Sequence, residues 1–396
     1  MSGRVKGFRF AGVHAGVKAG DALDFGLIFA DQPAVAAGVF TTNRVRAAPV
    51  VISERRLKSG LCQAVLVNSG NANACTGKQG QQTALALTRA AAGELGVRAS
   101  LVLPASTGVI GVQLPHKPME AAIPKLVSDL SDAGAARFAR AIMTTDKGPK
   151  VARREVKVGR STCRLLGIAK GAGMIHPNMA TTLAFVTTDA AIDRATLSKL
   201  LRDATEQTFN RASVDGDTST NDSIYAMASA AASSRGIEAK SAAGRRFVSA
   251  LTELLESLAK KIVADGEGAE HLVRIEVGGA RTDADAVQIA RAIAGSQLVK
   301  TALYGCDPNW GRILAAAGRS GARFNPDHVS MKIGSVPIFE AGTPVMTPKT
   351  EVKAAATMKR PEYVISISVG RGRGLGHYWT CDLGHEYVRI NADYRT

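Results

Sequence analysis

The stretch Lys170 to Asp189, KGAGMIHPNMATTLAFVTTD, holds the residues whose types and spacing suggest chemistry most directly. Gly171 and Gly173 permit backbone conformations that other residues avoid, Pro177 fixes its own φ and disfavours helix before it, and Asn178 tolerates a left-handed turn. Beyond them Thr182, Leu183, Phe185, Val186, Thr187 and Thr188 favour a pleated, half-buried surface, so Thr181 stands at or near the start of a strand, behind a constrained loop. A threonine can supply its own base: once the peptide bond before it is broken, the freed α-amine lies within reach of its hydroxyl and accepts that proton. Small Ala180 leaves space around the bond, and a constrained loop can store strain that favours cleavage. The same residues equally describe an ordinary loop entering a core strand.

Other chemistries find less support. Seven histidines, His14, His116, His176, His271, His328, His377 and His385, show no HxxxH spacing, and no GxSxG elbow is present, so zincin and α/β-hydrolase readings fail. Five cysteines, Cys62, Cys75, Cys163, Cys306 and Cys381, are dispersed and never form a CxxC pair, which disfavours a disulfide framework and a zinc site and fits a reducing cytoplasm. The loop SGNANACTGKQG has six residues between Gly70 and Gly77 where a P-loop has four, and Lys78 is followed by Gln79. In SVDGDTSTND, Gly216 is misplaced for an EF-hand, so no metal is expected.

Two further positions remain open on the residues alone. Thr107 and Gly108, in SLVLPASTGVIG, put a glycine amide beside a hydroxyl at a strand end, which suits a developing oxyanion or a plain type II turn equally. Glu267, held between Gly266 and Gly268, is either a solvated cap or a carboxylate offered to a cationic amine.

These residues need a scaffold, and 396 residues at 45% hydrophobic content can bury one large or two medium cores. Arg4, Lys6 and Arg9 interrupt the N-terminal stretch and no later window holds eighteen uncharged apolar residues, so secretion and membrane spanning are disfavoured. The formal charge of +16 is spread along the chain and aromatics are only 5%, so stacking platforms for nucleic acid are scarce and no nucleic-acid partner is expected.

Patterning predicts strands over FRFAGVHAGVKAG, FGLIFAD, AAGVFTTNRV, APVVIS and AVLVN, and later over VSMKIG, SVPIFE, YVISISV and HYWTCDL, with GRGRGLG as a glycine-rich hairpin or bulge. Helices are expected from near Gln81, from Pro118 to Leu130, from Ala135 to Met143, after a cap at Asp193, near Ala232, from Gly244 to Ala264 and from Asp283 to Ala294. The fold class is α+β, in layers, with no βαβ regularity and no internal repeat.

Seven blocks in order, GVFTTNRVRAAPV, LVNSGNANACTG, ASTGVIG, KGAGMIHPNMATTLAFVTTDA, SVDGDTSTND, YGCDPNWGR and EYVRINADYRT, make nearly the whole chain resemble the ornithine acetyltransferase family of arginine biosynthesis. The resemblance implies layered sheets and helices like those of that family and of N-terminal-nucleophile aminopeptidases. It implies self-cleavage between Ala180 and Thr181 into an α chain, 1–180, and a β chain, 181–396. Residues 181–280 and the α chain would form the catalytic body, with a smaller C-terminal domain over 281–396. Thr181 would take the acetyl group of N2-acetylornithine as an ester and pass it to glutamate, with Thr107 and Gly108 as oxyanion hole. Thr144 rather than Thr145, Lys170, Thr181, Glu267, Asn391 and Thr396 would contact substrate. No cofactor is implied; some members also accept acetyl-CoA as donor. Further implications are an α2β2 assembly, a cytoplasmic location and, as the alternative activity, peptide hydrolysis by a related aminopeptidase. Thr182 departs from the pattern, standing where a bulkier Met is common and leaving a second hydroxyl beside the scissile bond.

Overall fold

The apolar runs that open the chain fold into one mixed sheet. The computed structural model describes residues 4–158, 161–176, 182–232 and 236–393. Its strands are β1 (Phe8–Val13), β2 (Phe25–Phe40), β3 (Leu61–Asn71), β4 (Val102–Val109), β5 (Lys150–Val158), β6 (Ser161–Lys170), β7 (Leu183–Thr188), β8 (Ala212–Ser213) and β9 (Ser223–Ala228), then β10 (Leu272–Ala280), β11 (Ser330–Ile333), β12 (Val336–Glu340), β13 (Thr343–Pro344), β14 (Glu362–Ser368) and β15 (Gly374–Cys381). The helices are α1 (Ala48–Arg56), α2 (Gly77–Leu95), α3 (His116–Ser128), α4 (Ala135–Ala141), α5 (Arg194–Gln207), α6 (Ala242–Ala264), α7 (Asp283–Ala294), α8 (Gln297–Tyr304), α9 (Trp310–Gly318), α10 (Pro348–Met358) and α11 (His385–Asp393).

Among the described residues the first sheet runs β4-β3-β2-β9-β7-β6-β5 with β1 on β2, and the second runs β13-β12-β11-β14-β10-β15-β8. This is the α+β class read from the sequence. A parallel pair cannot be closed by a hairpin, so β3 reaches β4 through α2 and β7 reaches β9 by way of α5, βαβ crossovers that the expectation of no βαβ regularity passes over.

The interior follows the predicted stripes. Helix α6 buries Phe247, Leu251, Leu254, Leu255, Leu258 and Ile262, each contributing roughly 2 kcal/mol by removal from water. Gly167 on β6 admits it: a Cβ there would lie 2.8 Å from the side chains of both Leu254 and Leu258. Leu272 of β10 joins the core under the first sheet, while Val273, Ile275 and Val277 join a second core with Ile289, Ile293 and Ile365.

Three expectations about elements are corrected. APVVIS is the start of α1, not a strand: Pro49 suits the first turn of a helix and Val50 and Ile52 are buried, so tertiary burial overrides the β preference of the Val-Val-Ile run. GRGRGLG is not a hairpin turn, because β14 lies parallel and β15 antiparallel to β10, on its two sides; the segment crosses the end of β10, and the bulge sits in β10 between Gly278 and Ala280. Near Ala232 the described residues hold no helix.

Candidate active site

Strands β6 and β7 are antiparallel neighbours whose register pairs Lys170 with Leu183, so the glycine loop leaves and re-enters the sheet at adjacent positions. Here a cavity of about 230 Å3 opens. Thr107, Gly108, Thr144, Lys170, Glu267 and Asn391 all line it, gathered from five separated parts of the chain. Thr145 lines it as well. Ala180, Thr181 and Thr396 lie outside the described residues; Thr182, next to Thr181 in the chain, lines the cavity.

Thr107 and Gly108 arrive on β4. Gly108 has φ +132, and a Cβ there would meet the Gly70 carbonyl carbon at 2.2 Å and the Asn71 nitrogen at 2.4 Å, so only glycine allows β3 and β4 to approach this closely. Asn221 fastens this edge, its amide donating to Ala72 O at 2.6 Å and to Ser106 O at 2.8 Å.

Lys170 ends β6 with its side chain in the cavity wall and only 8% of its surface exposed. Its Nζ donates to Thr107 Oγ1 at 3.3 Å and lies 4.0 Å from Asp146 Oδ2. Burial lowers its pKa and Lys150 adds to that, against Asp146, Asp222 and Glu267. Asp146 is the hub beneath. Its carboxylate accepts from the Thr144 N–H at 2.9 Å, the Gly171 N–H at 2.7 Å and Lys150 Nζ, which also reaches Asp265. Burial works against its ionisation, but Lys170 and Lys150 outweigh burial and hold the carboxyl down to about 2.

Glu267 turns into the cavity where the chain leaves α6, its N–H donating to Ala172 O at 3.0 Å. Gly173 makes room, since a Cβ there would sit 2.4 Å from the Glu267 carboxylate. Asn391 of α11 donates to Glu267 Oε2 at 2.9 Å. Cation, carboxylate and amide thus face one space sized for an amino acid.

Several residues were not singled out from the sequence. Asp215 accepts from the Met174 N–H at 2.6 Å and the Ile175 N–H at 2.8 Å, and so shapes the glycine loop around Met174, which has φ +57. Burial pushes the Asp222 carboxyl well above the ordinary carboxylate range, and one of its oxygens has no hydrogen-bond partner among the described residues. Both belong to SVDGDTSTND, a block that marked the region without telling these roles apart. Asp146 and Tyr387 carried no signal of their own. The hydroxyl of Thr182 is turned away from chemistry: it donates to the Lys170 carbonyl and is buried.

An α+β body whose cavity presents a lysine, a carboxylate and a hydroxyl-glycine pair defines an enzyme that works on small amino-acid-like molecules. The ArgJ family model matches residues 9–396, and the chain belongs to that family. The chain is 48% identical over 393 residues to the arginine biosynthesis bifunctional protein ArgJ of Syntrophotalea carbinolica, covering 99% of this chain and 100% of that one. It is 47% identical over 392 residues to the protein of the same name from Geobacter sulfurreducens, with 99% and 100% covered. A crystal structure of the Bacillus halodurans protein of that name is 44% identical and superposes with a TM-score of 0.51, over 53% of this chain and 98% of the solved one. The family expected from the sequence is therefore the right one, and it does not favour the aminopeptidase alternative. Among the described residues no helix is long and apolar enough to cross a membrane.

Proposed function

We propose that this protein transfers the acetyl group of N2-acetylornithine to glutamate through an acetyl ester on Thr181, after cutting itself between Ala180 and Thr181. The single observation that carries the reading is the convergence of Thr107, Gly108, Lys170, Glu267 and Asn391 on one cavity that Thr182, the neighbour of Thr181, also lines. The near-complete match of one solved relative chain to 53% of this one agrees with a protein that works as two fragments, 1–180 and 181–396.

The Thr181 hydroxyl adds to the acetyl carbonyl and its proton passes to the Thr181 α-amine. The Gly108 N–H and the Thr107 hydroxyl donate to the oxyanion. Because Lys170 donates to Thr107 Oγ1, the hydroxyl proton of Thr107 is free for that task. Collapse breaks the C–N bond, the proton returns to the departing amine, and ornithine leaves. The amine of glutamate then attacks the ester, which regenerates the Thr181 hydroxyl.

Glu267 meets the cationic side-chain amine of the ornithine moiety, and Lys170 meets a substrate carboxylate. Thr144, Asn391 and Thr396 complete the contacts. The reaction draws on no cofactor, and acetyl-CoA serves as a second acetyl donor, as the word bifunctional in the relatives' names suggests. The two fragments act as an α2β2 assembly in the cytoplasm. Incubating purified protein with N2-acetylornithine and glutamate tests the exchange: ornithine and N-acetylglutamate should appear with ping-pong kinetics, and absence of exchange would refute it. Acetyl-CoA plus glutamate alone tests the second donor.

A further inference from the structure

A second group of ligand-type side chains meets where the loop after α6, the turn after α8 and the end of β15 come together. Among the described residues, Glu270, His271 and Asp382 form a group whose carboxylate and imidazole donor atoms all lie within 4.8 Å of one another. Cys306 stands outside that group and brings its Sγ to 3.9 Å from His271 Nε2.

Their surroundings fix how each one points. Asp382 is only 2% exposed, and its Oδ1 accepts from the N–H groups of Glu270 at 3.0 Å and His271 at 2.9 Å. Its Oδ2 is buried and, among the described residues, has no hydrogen-bond partner. A buried carboxylate oxygen left without donor or cation is costly, so something is expected to meet it. His271 Nδ1 lies 3.2 Å from Arg360 O. A carbonyl only accepts, so Nδ1 carries the proton and Nε2 turns its lone pair toward Cys306, the arrangement that outer-shell carbonyls impose on metal-binding histidines. The Tyr363 ring packs edge-on to His271 at 6.1 Å and its hydroxyl, also buried, lacks a partner among the described residues.

We propose that Glu270, His271, Cys306 and Asp382 bind a divalent transition-metal ion of the zinc class. One thiolate, one imidazole and two carboxylates make a mixed set that suits zinc better than calcium or magnesium, which take oxygen donors. A weak thiol–imidazole contact would explain Cys306 and His271 but leaves Asp382 Oδ2 unanswered. With four protein donors the ion is structural, apart from the acetyl chemistry. It joins the 265–271 loop to the segment entering α11, where a Cβ on Gly268 would lie 2.5 Å from the Tyr387 nitrogen. The expectation of no metal came from the absence of a linear motif, and residues 270, 271, 306 and 382 form none.

The test is titration of untagged full-length protein with cobalt(II), followed by absorption and calorimetry, neither of which involves acetyl transfer. Wild type should take up one equivalent with a thiolate-to-cobalt absorption band. Cys306→Ser should lose the band, and Asp382→Asn, which keeps Oδ1 for the two N–H groups, should bind about tenfold or more weakly. Zinc should raise the Tm of wild type and not of Asp382→Asn. If Asp382→Asn does not fold, Glu270→Gln, at an exposed position, tests the same loss of affinity. No saturable cobalt binding by wild type, a spectrum without the thiolate band, or undiminished affinity in the carboxylate variants would overturn the proposal.

Discussion

Asn391 Nδ2 donates to Glu267 Oε2 at 2.9 Å, so a residue on the last helix orients a carboxylate 124 positions earlier. If that carboxylate receives the side-chain amine of ornithine, its charge matters for one substrate and not the other. Glu267→Gln should lower kcat/KM for N2-acetylornithine about 10- to 100-fold, the loss of a charged hydrogen bond worth about 1.5–3 kcal/mol. The KM for glutamate should move far less. Asn391→Ala should give a smaller defect of the same kind, about fivefold, because it removes one orienting hydrogen bond and leaves the Glu267 charge in place. Steady-state kinetics with each substrate varied separately checks the contrast; equal losses for both substrates would count against this role.

Gly173 offers an independent route to the same carboxylate. In Gly173→Ala the new methyl would sit 2.4 Å from Glu267 Oε2, and the flexible end of a glutamate can give way where backbone cannot. Folding should survive while N2-acetylornithine binding weakens as in Glu267→Gln. Gly108→Ala is the opposite case, since its Cβ meets the backbone of Gly70 at 2.2 Å with φ at +132, and it should lower Tm clearly. Thermal melts of the two variants compare them directly.

Asp146 predicts an acid limit. Its folded pKa is about 2, below the ordinary 3.8, so the folded state binds fewer protons than the unfolded chain between those values. Its contribution, about 2 kcal/mol by linkage, is present in full above pH 4 and is lost as pH falls from about 4 to about 2. Denaturant unfolding across that range should fall less steeply for Asp146→Asn than for wild type. An identical slope would contradict the placement of Asp146 between two lysines.

The two threonines of ATTL should separate cleanly. Thr182 Oγ1 is committed to the Lys170 carbonyl, so Thr182→Val should cost about 1 kcal/mol of stability and still permit cleavage. Thr181→Ala should leave one uncut chain on a denaturing gel. Cleavage lost in Thr182→Val alone would assign the nucleophile to the wrong hydroxyl.

The long periodic stripes were the most legible part of the sequence, because Leu251, Leu254, Leu255 and Leu258 can only be the buried side of a helix. Short apolar runs were not: Val50-Val51-Ile52 has the composition of a strand, and only the burial of Val50 and Ile52 in a helix beside β4 makes it α1. Strand order was hidden as well, since nothing in YVISISV or HYWTCDL says that β10 lies between them. The cavity residues Lys170, Glu267 and Asn391 came from family resemblance, their own local sequence being equally that of surface loops. Asp146 escaped notice because its role exists only once Lys150, Lys170 and Gly171 surround it.

The central claim is that Thr181 becomes a new N-terminus and carries the acetyl group. Intact-mass and peptide mass spectrometry of the wild-type protein mixed with N2-acetylornithine, without glutamate, tests it most directly. The account predicts two fragments, 1–180 and 181–396, with one acetyl group on Thr181 that disappears when glutamate is added. A single uncut chain, or two fragments whose acetyl group sits elsewhere or stays in place with glutamate, would contradict it.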